Sequence, residues 1–396
     1  MNHKQRMLSV LRGEPTDRIP FFPRLDLWYR ANRLAGTLPS KYRNATLMEM
    51  VDDLGWGYHA VVPEYKNVRS IDDEIHRALG IYNLAAMPIR TVLDGVDLAI
   101  RQEGDRTIAE YRTPVGTITT VTLYDEAMRK AGISIAHVER YAFQGAEDYA
   151  PLEYLFRHAR AEPNYEGYRQ FADRIGDRGF AVAYVSAGAS PMHLIQRDLM
   201  PVDRFFFEMV DRPAELASLA ESIGGYWRQS LDVAAACPAE VFLLGANYDS
   251  AIQYPPFFEQ HIRPTLAEFA AMLHARGKYL LTHTDGENRG LLEQYVASGF
   301  DIADSVCPHP MTRLSMGEIR RAFDGRITIM GGIPSVALIK ESMNDRQFER
   351  FLEGFFEQIG GGDHLILGIS DTTPPAAEFE RLLRIAERVE EFGPVG

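Results

Sequence analysis

His283 and Asp285 stand two residues apart at the end of the short apolar run Leu280-Leu281-Thr282, just before Gly286. The run follows a helix stop at Arg276-Gly277-Lys278, so it reads as a strand whose carboxyl end carries two potential metal ligands. In an α/β barrel, chemistry is placed at that end. Two residues so spaced can converge on one ion as the backbone turns into the loop. The plainer alternative is a buried histidine bonded to the barrel wall and an aspartate capping the next helix. Three more aspartates follow apolar runs: Asp249 after residues 242–244, Asp304 after Ile302-Ala303, and Asp371 after residues 365–367. Any one of them alone is an ordinary loop or cap residue. Gathered at one mouth they repel each other, and a bound cation relieves that repulsion.

The expected ligand set is His283, Asp285 and Asp371, with Cys307 as a secondary candidate. A cysteine before Pro308 serves more simply as a small apolar residue, and Cys237, before Pro238, reads as packing at a helix end. One imidazole and two carboxylates form a harder site than thiolates do. Zinc is expected first, and iron(II) or manganese compete. Such an ion suits an oxygen leaving group, hence a methyl ether, an alcohol or a small carboxylate-bearing substrate. His283, Asp249 and Asp304 are the catalytic candidates, the aspartates handling a proton where burial raises the carboxyl pKa. For substrate holding, Arg24 and Asp26 follow the first expected strand, and Trp28 and Tyr29 offer aromatic walls. Arg33 and Tyr248 complete that set, and Tyr254 is a further wall candidate. The alternative for residues 24–30 is a surface helix whose aromatics face the core.

The elements that must position these residues are short apolar runs at 180–185, 241–244, 279–281, around 302, 327–330 and 365–367. Between them lie stretches with apolar residues three and four apart, such as 257–273 and 379–389. This alternation indicates βα units and a parallel sheet. Runs at 19–22 and 58–62 bring the strand count to eight, which implies a closed (β/α)8 barrel. Residues 96–124 are different: their Thr-rich, two-faced alternation around Glu103-Gly104-Asp105 predicts an antiparallel hairpin insertion. Residues 137–175 are expected to be helical and to lead back to the barrel, making residues 1–396 a single domain.

The formal net charge of −13 argues against nucleic acid or an anionic membrane as a bulk partner. Two cysteines exclude a four-cysteine zinc module. No run is long enough to span a bilayer, and the apolar stretch 7–11 is too short for a signal peptide. The expected compartment is the cytoplasm. Nucleophile elbows, phosphate-binding loops and dinucleotide fingerprints are absent.

With these pieces placed, the chain resembles the uroporphyrinogen decarboxylase superfamily in its methyltransferase-like branch. The opening stretch Lys4 to Pro20 carries the resemblance, together with Thr113-Pro114-Val115-Gly116-Thr117, His283-Thr284-Asp285-Gly286, Gly331-Gly332-Ile333-Pro334 and Thr372-Thr373-Pro374-Pro375. It covers nearly the whole chain and implies the (β/α)8 barrel and a homodimer. In the zinc methyltransferases of that superfamily the strand ends in His-x-Cys, and a second cysteine lies near the last strand. Here Asp285 takes the first cysteine position, and Ile369-Ser370-Asp371 takes the second. The expected function is methyl transfer from a small O-methylated or similar substrate to a corrinoid. No corrinoid-binding Asp-x-His-x-x-Gly occurs, so the corrinoid is expected on a separate partner protein. The alternative is decarboxylation of a porphyrinogen-like or smaller carboxylate, with Arg24 and Arg33 holding carboxylates and no metal required. Thr37 stands where the decarboxylase has its second arginine. A third reading is a barrel that binds a ligand without turning it over.

Overall fold

The computed structural model describes residues 1–70, 73 and 75–396. Continuous apolar runs become strands buried on both faces, as parallel sheets covered by helices require. Six of them, β7 (Val182–Ser186), β8 (Val241–Ala246), β9 (Tyr279–His283), β10 (Ile302–Val306), β11 (Thr328–Ile333) and β12 (Leu365–Ile369), form one parallel sheet in sequential order. Every residue of these strands is buried except Tyr279, which is half-buried. Helices cross over between successive strands, among them Pro213–Ala236, Arg263–His274 and Asp345–Gln358. The protein is thus a mixed α/β fold whose carboxyl strand ends share one side.

The two early runs are not regular strands. Phe21 forms a single parallel bridge to Leu367 of β12, flanked by hydrogen bonds from Leu367 N–H to the Pro20 carbonyl and from Phe22 N–H to the Leu367 carbonyl. Along β7, Val182 N–H donates to the Ala60 carbonyl, and Gly57 N–H donates to the Phe21 carbonyl. Pro20 carries no N–H, so the first segment cannot run a full ladder. Gly57 allows the close approach of the two segments: a Cβ there would stand 2.1 Å from the Phe22 ring, which is fully buried. Gly57→Ala is expected to cost about 1–3 kcal/mol through overpacking, read as a lower urea midpoint with an unchanged slope.

Residues 97–123 form three antiparallel strands, β2 (Asp97–Glu103), β3 (Arg106–Thr113) and β4 (Gly116–Leu123), in a four-stranded sheet completed by β5 (His137–Arg140). A separate antiparallel pair joins β1 (Ile89–Leu93) to β6 (Ala159–Pro163). The stretch 137–175, expected to be helical, therefore contains two strands as well as helices Tyr149–Arg157 and Tyr165–Ile175. Its short polar strands have no apolar run of their own and exist because β4 and β1 offer open edges. Tyr111 and Ile118 of the antiparallel sheet pack into the same hydrophobic core as the parallel strands. Among the described residues, no helix is long and apolar enough to cross a membrane.

Candidate metal centre

The carboxyl ends of the strands and the 24–26 segment gather a compact polar cluster. His283 ends β9, and Asp304 on β10 is its direct register partner. Its Nδ1–H donates to Asp304 Oδ2 at 2.6 Å, and both residues are buried. Since an ionised carboxylate only accepts, this bond leaves Nε2 facing outward. There it meets Asp285 Oδ1 at 3.4 Å and Asp371 Oδ1 at 3.5 Å. One ligand atom from each of His283, Asp285 and Asp371 lies within 4.8 Å of the others.

Backbone geometry at the rim is unusual. Asn247, just beyond β8, and Ser305, within β10, both have left-handed φ, 63° and 60°. Strain of this kind concentrates at functional sites. Bulges accompany both, one between β8 and β9 and one between β10 and β11.

Arg24 reaches the cluster from the 20–22 segment. It donates to Asp371 Oδ1 at 2.6 Å and to Asp26 Oδ1 at 3.3 Å. Asp26 Oδ2 also accepts from Arg30 at 3.1 Å, and His59 Nε2 stands 3.7 Å from Asp304 Oδ1. Burial works against a charged His283, but the Asp285 charge, the bond to Asp304 and the neighbouring Asp371 carboxylate outweigh it and hold the pKa at about 10. Burial pushes the Asp285 carboxyl up. Burial would also raise Asp371, but the neighbouring His283 and the Arg24 charge bring it down to about 2. Asp304 is likewise opposed by burial, and its His283 bond holds it well below the usual carboxylate range.

The other candidates lie outside the ligand group. The Asp249 carboxylate caps its own turn by accepting from Ala251 N–H at 2.8 Å and ties it to the facing turn by accepting from Glu287 N–H at 3.4 Å. Tyr248 is wholly buried, its hydroxyl bonded to Thr282 Oγ1 at 2.8 Å, so it supports β9. Trp28 is also core: it stacks on Phe379 at 5.7 Å and donates to the Ala377 carbonyl. Helix Asp26–Ala35 turns its apolar stripe toward the C-terminal helix Phe379–Phe392. Tyr29 is buried, with its hydroxyl donating to the Ala45 carbonyl at 2.6 Å. Arg33 is exposed and donates to that Tyr29 hydroxyl at 3.1 Å. Cys307 is buried, its thiol pushed up to about 11 by burial, and Cys237 is buried in the core.

A cleft of about 710 Å³ opens beside the cluster, walled by Tyr29, Tyr58, Lys66 and Arg174 and meeting the polar site through Asp26 and His59. His59 and Asn247 escaped the sequence reading. His59 sat inside a run read as a strand, and the cue for Asn247 was an asparagine two residues after a strand-end glycine.

An α/β sheet with a polar cluster at its carboxyl strand ends defines the class of protein. In fold the chain is similar to a methyltransferase from Methanosarcina mazei, which it matches over 99% of each chain at 14% identity with a TM-score of 0.51. No protein-family model matches the chain, and no curated protein does.

Proposed function

We propose that this protein is a methyltransferase working on a small O-methylated or similar substrate, with a divalent metal ion held by His283, Asp285 and Asp371. One observation carries this reading. Two donors each about 2.1 Å from a tetrahedral ion stand about 3.4 Å apart, which is the spacing from His283 Nε2 to both carboxylates. A charged hydrogen bond would draw them to about 2.7–2.9 Å, as it does between Arg24 and Asp371. With His283 neutral as a ligand, four aspartates meet two arginines here, and that excess negative charge suits a divalent cation. Zinc fits the imidazole and the monodentate oxygens; iron(II) and manganese are alternatives.

When bound, such an ion supplies Lewis acidity to the atom that loses its methyl group. The chain's own residues do the rest. Asp304 stays ionised and orients the imidazole, so its part is positioning and not proton delivery. Arg24 fixes Asp371 and Asp26, and the cleft beyond Asp26 and His59 receives the body of the substrate. The methyl group departs without its bonding pair, which stays on the leaving oxygen together with a proton from solvent. The reading includes a corrinoid on a separate partner protein as acceptor. It also takes the 20–22 and 57–60 segments as the first two staves of a (β/α)8 barrel, since their hydrogen bonds link β12 to β7. In the decarboxylase alternative Arg24 and Arg33 hold carboxylates, but here Arg24 is engaged by two aspartates and Arg33 by Tyr29.

Zinc-loaded protein mixed with free reduced cobalamin and 4-methoxybenzoate is expected to produce the absorbance of methylated corrinoid. Carbon dioxide release from the same probe, without methyl transfer, would replace this reading with the decarboxylase.

A further inference from the structure

We infer that Asn247 is a positioning residue for the metal centre, holding Asp285 in ligand geometry through its side-chain amide. The inference rests on the reading of His283, Asp285 and Asp371 as metal ligands. Asp285 lies beyond the end of β9, where no strand partner fixes it. Its Oδ1 accepts from Asn247 Nδ2 at 2.7 Å. The same residue's backbone N–H donates to the His283 carbonyl at 3.0 Å, so one residue ties down both ligand-bearing positions of this strand end.

The local fold is shaped to bring it there. The β8–β9 register shifts between Leu243 and Ala246, Gly245 has φ 87° and Asn247 has φ 63°. A bulge of this kind re-aims the side chain that follows it. Asparagine is among the few residues with a side chain that tolerate the left-handed region. The loop after Asn247 and the turn after Asp285 are then zipped together. Ser250 N–H donates to the Glu287 carbonyl at 2.8 Å, and Asn288 Nδ2 donates to the Tyr248 carbonyl at 3.1 Å. Gly286 completes the seam, because a Cβ there would stand 2.4 Å from the Tyr248 carbonyl oxygen. Within this seam the Asn247 side chain reaches a ligand carboxylate, and as a neutral donor, unlike the Arg24 guanidinium on Asp371, it fixes Oδ1 while leaving that oxygen a second lone pair for an ion.

Outer-shell partners of metal ligands typically govern affinity by 10–100-fold. The test is a zinc competition titration of the full chain, first stripped with chelator, for unaltered protein, Asn247→Gly and Asn247→Ala. Glycine keeps the left-handed backbone and the N–H bond to His283 while removing the amide, so it separates positioning from folding. Zinc binding by Asn247→Gly is expected to weaken by about 10–100-fold. In an Asp285→Ala background the same change is expected to add nothing, because the effect runs through that carboxylate. Unchanged affinity in Asn247→Gly, or an undiminished loss in the Asp285→Ala background, overturns the inference and leaves the metal reading standing. Unaltered protein that takes up no zinc removes both.

Discussion

His283→Ala is expected to abolish metal binding and to lower the stability of the metal-free protein by about 3–5 kcal/mol, the range for stripping one partner from a buried ion pair. The cause is Asp304, which is 1% exposed. Without the 2.6 Å bond from His283, the basic side chain left beside it is His59, 3.7 Å away. A second substitution separates the two losses. In His283→Ala/Asp304→Ala no buried carboxylate is stranded, so most of the stability returns while metal binding does not. Urea unfolding in chelator reads the first effect and zinc titration the second. A double variant no more stable than His283→Ala would show that the loss came from packing.

Arg24→Ala is expected to pull the two properties in opposite directions. Arg24 holds Asp371 Oδ1 at 2.6 Å, the oxygen that faces His283 Nε2. It competes with an ion for that atom, and a charge-assisted hydrogen bond contributes about 1.5–3 kcal/mol. Its removal should therefore tighten zinc binding by about tenfold or more. In metal-free protein it leaves Asp371 with His283 alone and Asp26 with Arg30 alone, at a cost of about 1–3 kcal/mol once the partial exposure of Asp371 is allowed for. Arg24→Lys should give smaller changes of both kinds, since an ammonium cannot span Asp26 and Asp371 as the planar fork does. Zinc bound more weakly by Arg24→Ala would mean that Arg24 shapes the ligand set and does not compete with the ion.

Strands β7 to β12 were legible because each carries a short apolar run buried on both faces, although in β10 that run is broken by Asp304 and Ser305. Residues 19–22 and 58–62 carry the same apolar signal, yet they make only isolated hydrogen bonds in place of ladders, a distinction that hydrophobic periodicity does not record. Residues 137–140 and 159–163 escaped notice because their strand state comes from the partner edge and not from their own pattern. In the site, the strand-end positions of His283 and Asp285 pointed to a shared locus, and Asp371 joined them through the strand-end rule. Arg24 was read as a substrate clamp because its bond to Asp371 spans 347 positions in sequence. Trp28 and Tyr248 were misread for a related reason. Aromatics near a site look like pocket walls until helix phase and loop turns are known, and here both face the core. Asn247 depends on a bulge, which arises between strands and leaves only a faint trace in either one.

Metal content tests the central claim most directly. Protein purified without chelator and measured by inductively coupled plasma mass spectrometry should carry one divalent ion per chain, zinc foremost, and His283→Ala prepared in parallel should carry none. An unaltered protein free of divalent metal, and still free of it after incubation with zinc at neutral pH, would contradict the account.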